Sequence, residues 1–144
     1  MKKAIYYIIG ACLALTACDF EVSDNGKLDG FWQLKSVDTL ATGRSADLRA
    51  QELSWSFQGK ALELRNAKDF YADVLMSFSR TGDVLQVSNP IFILRVVGDS
   101  VVTDVEPLRQ FGVNSLDERF RIVGLDGSSM TLQSEQLQLN FRKY

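Results

Sequence analysis

The chain has 144 residues, with 16 lysines and arginines against 18 aspartates and glutamates, two cysteines and no histidine. A formal charge of −2 leaves no electrostatic footprint for nucleic acid. The missing imidazole excludes histidine-activated nucleophiles, histidine acid/base work and most zinc or iron sites.

At the N-terminus Lys2 and Lys3 precede an apolar run of thirteen residues, Ala4 to Thr16, which has the form of a bacterial export signal. The run is too short to span a bilayer as a helix. Leu15, Thr16, Ala17 and Cys18 then resemble the lipobox of bacterial lipoproteins, which implies cleavage after Ala17 and acylation of the Cys18 thiol. An ordinary secretory signal cut nearby, or an uncleaved anchor, is the alternative. Each buried CH₂ of the acyl chains contributes about 0.8 kcal/mol, so several chains on one cysteine hold a protein stably on a membrane. The expected product is an outer-membrane lipoprotein facing the periplasm or the cell surface, anchored through lipid rather than spanning.

Cleavage removes Lys2, Lys3 and Cys12, leaving 127 residues with 14 basic against 18 acidic side chains. With Cys18 consumed by lipid, no thiol remains to pair, so stability must come from a packed core rather than disulfides or a thiolate metal site. The domain boundaries expected are a signal peptide at 1–17, a lipidated cysteine with a flexible acidic tether at 18–29, and one folded domain at 30–144. Asp19, Glu21, Asp24 and Asp29 give the tether a composition that should stay extended. Acidic residues directly after the cysteine also resemble the surface-export signal of Bacteroides-type lipoproteins, here interrupted by Phe20 and Val22.

From Gly30 onward apolar residues alternate, which predicts strands. Phe31 to Val37 forms the first, and Thr39 to Gln51 a polar connection in which Ser45 caps one helical turn. Leu53, Trp55 and Phe57 share one strand face, with Ser54 and Ser56 on the other. After Gln58-Gly59-Lys60, Leu62 and Leu64 turn inward again, completing a hairpin. Val74, Met76 and Phe78, the turn Thr81-Gly82-Asp83, then Leu85 and Val87 form a second. Asn89-Pro90 breaks the pattern before a separate apolar strand at Ile91 to Val97. Asp104 to Gly112, with a capping aspartate, an early proline and a terminating glycine, predicts a short helix. Phe120 and Ile122, Met130 and Leu132, and Leu137, Leu139 and Phe141 mark three closing strands.

Gly30 and Trp32, one residue apart at the start of the first strand, resemble the Gly-x-Trp signature of lipocalins. The resemblance implies that the indole of Trp32 plugs the closed end of a barrel and that a late arginine covers it. Arg142 matches, with Arg121 in reserve, although Arg142 lies on the polar phase of its strand. The long first connection also fits the family. Three departures are the short chain, the missing helix after the last strand, and the helix placed before Arg119 to Val123. With the lipobox, the whole chain resembles the lipocalin-like domain lipoproteins of Bacteroides-type bacteria, a resemblance that carries fold rather than activity. The fold class expected is all-β, an antiparallel up-and-down lipocalin-like β-barrel of about eight strands with one short helix; an antiparallel sandwich is the alternative.

The residues offer little chemistry. Asp99, Asp104 and Glu106 lack the ordered ligand spacing of a calcium loop, so no metal or other cofactor is implied. Asp117, Glu118, Asp69 and Asp73 flank strands, where charge keeps ends soluble, and no base stands beside Ser54 or Ser56. No catalytic residue is assigned and the chain is read as a non-enzyme. Three readings of function remain. The first is a carrier of a small apolar or amphipathic ligand, lined by Trp55, Phe57, Met76 and Phe78, with Leu108 and Phe111 at the mouth. The second is an interaction or structural protein that meets an envelope protein partner through its loops, around a filled barrel. The third, an enzyme, needs convergent polar groups that the sequence does not supply.

Overall fold

A computed structural model describes residues 25–69, 73–93 and 98–144. Eight strands close into one antiparallel ring: β1 (Gly30–Thr39), β3 (Leu53–Gln58), β4 (Ala61–Asn66), β5 (Val74–Thr81), β6 (Val84–Phe92), β8 (Glu118–Leu125), β9 (Ser129–Gln133) and β10 (Leu137–Lys143). The ring shuts where Trp32 to Thr39 pairs with Leu137 to Lys143. Two short strands hang on it, β2 (Ser45–Asp47) on β1 and β7 (Ser100–Val101) on β6. A sandwich is thereby excluded, since two separate sheets would each leave edges where this ring leaves none.

Alternation builds the wall, and bulges correct it. Trp32 and Leu34 point inward until the register shifts between Leu34 and Ser36, after which Val37, opposite Leu139, carries the inward phase. β6 does the same at Asn89, whose φ of 53° marks the extra residue. Leu85 and Val87 face the core before it, Pro90 after it. In β8 the shift lies between Ile122 and Gly124, leaving Val123 half exposed and Leu125 packed on the core. Each extra residue bends its strand, as closing a barrel demands.

Three expectations change here. The Asn89-Pro90 pair does not separate two strands: β6 runs through it as a bulge to Phe92, and residues 94–97 of the expected apolar strand lie outside the described residues. Ser45 opens β2 instead of capping a helical turn; the turn comes later, as a 3-10 turn at Arg49–Gln51. The acidic tether does not stay extended up to Asp29, because Gly26–Leu28 form a 3-10 turn with Leu28 fully buried. Leu28 belongs to the core, and Asn25 Nδ2 donates to Gly59 O at 2.8 Å, fastening the entry to the β3–β4 turn.

The expected helix is present as α1 (Glu106–Arg109), a single turn with Pro107 in its first positions. Asp104 Oδ1 accepts the Glu106 N–H at 3.0 Å. α1 sits in the long connection from β6 to β8, at the same end as the β1–β3 and β4–β5 connections. This is the open end; the entry at Asn25 and the β3–β4, β5–β6 and β8–β9 turns lie at the closed end.

Candidate functional site

The closed end is built around Trp32. Its indole is fully buried and donates from Nε1 to Leu28 O at 2.8 Å, so the 3-10 turn is held by the residue it helps to bury. Above the ring lies Lys143, its Nζ 5.1 Å from the centroid. Gly30 makes room for this arrangement: a Cβ there would stand 2.9 Å from Lys143 Cε, and its φ of 114° is one that L side chains rarely adopt.

Arg142 does not cover Trp32. It projects to the outer face and its Nε donates to Gln33 Oε1, while Gln33 Nε2 reaches Arg49 O at 3.2 Å. The reserve candidate, Arg121, is also outside, donating to Gln133 Oε1 at 2.8 Å. The signal for Lys143 was strand parity, since it shares the phase of Leu139 and Phe141. Reading for an arginine rather than for a cation on the inward phase missed it.

The six residues expected to line a pocket are brought together, but as core. Trp55, Phe57, Met76, Phe78, Leu108 and Phe111 are all buried in one hydrophobic cluster. Trp55 stands at its centre, with ring centroids 5.6 Å from Phe120 and 5.1 Å from Phe141, both edge to face. Phe57 and Phe78 meet at 5.0 Å in the same geometry. An eight-stranded barrel is just wide enough for its side chains to fill, and at the level of Trp55 these rings fill it.

Leu108 and Phe111 do not rim the mouth; they are fully buried and enter the core. Trp55 Nε1 donates to Phe111 O at 3.1 Å, tying residue 111 of the β6–β8 connection to the barrel core. Gly112, at φ 83°, then passes so close to β10 that a Cβ would lie 2.5 Å from Leu139 Cδ2. Val113 is buried behind it. The connection is therefore a plug, held by a hydrogen bond in the core and a close backbone approach.

Two depressions formed by the described residues open on the outside of the barrel. One of about 510 Å³ opens between the start of β8 and the β9–β10 turn, lined by Gln86, Asn114, Ser115, Asp117, Glu118, Arg119, Glu135 and Gln136. The wall parts here because β9 pairs with β8 only from Arg121 onward, so Glu118 to Phe120 have no β9 partner. Glu118 is turned to structural use: its Oε2 accepts the Asn114 N–H at 2.7 Å, and burial raises its pKa above the ordinary value. A second depression, about 380 Å³, is more apolar, with Pro90, Ile91, Val101, Val102 and Leu116 in its lining.

Three other carboxylates, Asp73, Asp104 and Glu106, also make structural contacts. Asp73 does not solubilise a strand end; it is 6% exposed, with Arg65 Nε 3.7 Å from its Oδ2. Asp104, one residue before the N-cap Val105, accepts the Glu106 N–H, and Glu106 pairs with Arg109 at 2.8 Å. Ser54 faces away from the core yet is buried against the outer wall. Among the described residues no group of three or more acidic, cysteine or histidine side chains converges on a metal position.

A family profile described as a lipocalin-like domain matches residues 13–144. The chain belongs to the lipocalin-like domain family. Among solved structures it is similar to a lipocalin-like protein from Bacteroides uniformis, with 21% identity and a TM-score of 0.62 over 83% of this chain and all of that one. It is also similar to a protein from Bacteroides eggerthii described as uncharacterized, with 17% identity and a TM-score of 0.54 over 81% of this chain and 98% of that one. At these identities the likeness is one of fold. No curated protein matches the sequence. The lipocalin-like barrel is in general a non-enzymatic binding fold, and one compatible with a small ligand.

Proposed function

We propose that this lipocalin-like chain is a lipid-anchored, non-enzymatic binding protein of the bacterial envelope that uses its barrel as a filled scaffold and its open-end loops for recognition. The observation that carries this reading is the Trp55 cluster: the rings that would have lined a ligand cavity touch one another instead. The plug supports it, since Leu108 and Phe111 are fully buried and add to the filled interior. Two large apolar side chains stand exposed at the same end, Leu40 at 42% and Val101 at 70%. Anchoring is supported by the sequence from Leu15 to Cys18, and an outer-membrane location is part of the same proposal.

A second reading, carriage of a small apolar ligand inside the barrel, is favoured by membership of the lipocalin-like family itself. Native mass spectrometry of the acylated protein released in mild detergent separates the two. Expected is the mass of the lipid-modified chain alone, together with discrete cross-links to protein from a photoreactive residue placed at Leu40 or Val101. A stoichiometric small apolar molecule, lost on Trp55→Ala, would overturn the scaffold reading and install the carrier.

A further inference from the structure

We propose that the closed end of the barrel, with Phe31 and Tyr144 on its outer wall, rests against the lipid surface that anchors the chain. The inference rests on the reading that Cys18 carries the lipid. Six residues, 19–24, separate that cysteine from Asn25. Even fully extended they and their flanking bonds reach only about 25 Å. Asn25 is fixed to the β3–β4 turn through Gly59 O, so the tether pulls on the closed end and no other.

What that end presents suits a membrane interface. Phe31 is 51% exposed and Tyr144 69%, an unusual degree for large rings on a domain whose other aromatics are mostly core. They are neighbours: Tyr144 N donates to Phe31 O at 3.1 Å, at the closed-end foot of a shallow groove that runs up the outer wall past Ser54 and Arg65 to Glu52 and Ala67. A phenol with an apolar body and a polar tip sits well at the boundary between headgroups and acyl chains. Lysine stems at the same end, Lys27 and Lys60, can lie along apolar surface with their ammonium groups in the headgroup layer.

Charge distribution gives the orientation a second, independent reason. Among the described residues, the open-end loops carry nine carboxylates against four lysines and arginines, whereas the closed-end turns with Lys143 carry three of each. With Asp19, Glu21 and Asp24 of the tether counted at the closed end, an anionic lipid surface still repels the first end more strongly than the second. The open-end loops are therefore held outward, where they are accessible to a partner.

The test uses the full chain, acylated in a bacterial host and reconstituted into phosphatidylethanolamine/phosphatidylglycerol vesicles. Cys18 is the single cysteine after the signal, so Lys60→Cys at the closed end and Val101→Cys at the open end each accept one environment-sensitive fluorophore. Expected is co-flotation with vesicles, a blue shift and loss of iodide quenching at position 60 but not 101, and recovery of that quenching in Phe31→Ser/Tyr144→Ser. Co-flotation with equal quenching at 60 and 101, or no effect of the double substitution, overturns the membrane contact while leaving the anchor intact. Failure to float removes the anchor, and the inference with it.

Discussion

Lys143 and Arg142, adjacent on β10, serve opposite faces of the barrel: Lys143 Nζ lies over the buried Trp32 ring, and Arg142 Nε donates to Gln33 outside. Strand alternation enforces the division, because neighbouring residues cannot share a face. The two cations therefore do different physical work. Lys143 supplies charge to an aromatic face, and Arg142 satisfies an amide that is only 4% exposed.

Their removal should accordingly differ. Lys143→Leu keeps the apolar stem and loses the cation over the indole together with a long, exposed hydrogen bond to Lys27 O at 3.4 Å, a destabilisation of about 0.5–1 kcal/mol at a partly exposed site. Arg142→Ala deprives Gln33 Oε1 of its donor and should cost about 1 kcal/mol or more. Urea unfolding of both variants checks the ranking. A larger loss for Lys143→Leu would mean that the closed end depends on more than the ring contact.

Trp55 joins the core to the plug, and two substitutions separate those roles. Trp55→Ala removes a fully buried ring system, for which about 3–5 kcal/mol is expected. Trp55→Phe retains most of the packing but leaves Phe111 O without its donor, about 1–3 kcal/mol. Hydrogen exchange should register the second change chiefly in residues 108–113. Uniform loosening of the whole barrel in Trp55→Phe would contradict a plug held locally.

Much of this arrangement was legible in the alternating residues, because a half-buried strand writes its face into every second position. Leu53 to Phe57 and Leu137 to Phe141 read directly as β3 and β10. Alternation fails wherever a bulge inserts a residue: β6 looked broken at Asn89-Pro90 because its inward phase moves there from Val87 to Pro90. β2 was invisible for another reason, since Ser45 to Asp47 are all exposed and carry no apolar pattern. Trp55, Phe57, Met76 and Phe78 do face inward, whereas Leu108 and Phe111, expected at the mouth, are buried in the core. Whether inward rings enclose space or fill it depends on three-dimensional distances, such as 5.1 Å from Trp55 to Phe141, that no one-dimensional pattern contains.

Gly112→Ala tests the close approach at the mouth. The substitution adds a Cβ 2.5 Å from Leu139 Cδ2 and strains a positive φ. The combined penalty should be about 1–3 kcal/mol. Adding Leu139→Ala removes the clash but not the strain, and creates a cavity of its own. A double-mutant cycle should show that the two losses are less than additive. Full additivity would show that the segment swings clear of β10 rather than pressing against it.

Glu118 sets the direction of one limb of the stability profile. Burial raises its pKa above the ordinary 4.5, with Glu135 adding like-charge repulsion, while the N–H groups of Asn114 and Ser115 pull the other way. In the window between the unfolded and the raised folded value, the native state holds a proton that the unfolded state has released. Stability therefore falls as pH rises through that window. Asp126 acts in the opposite sense: the N–H groups of Ser128 and Ser129 lower its pKa to about 2, so its contribution is present above 3.8 and lost as pH falls through about 2. Glu118→Gln should flatten the decline above pH 4.5, and Asp126→Asn should weaken the pH dependence between about 4 and 2. Chemical unfolding across pH 2–7 separates the two limbs, and an unchanged slope above 4.5 in Glu118→Gln would assign the decline to another group.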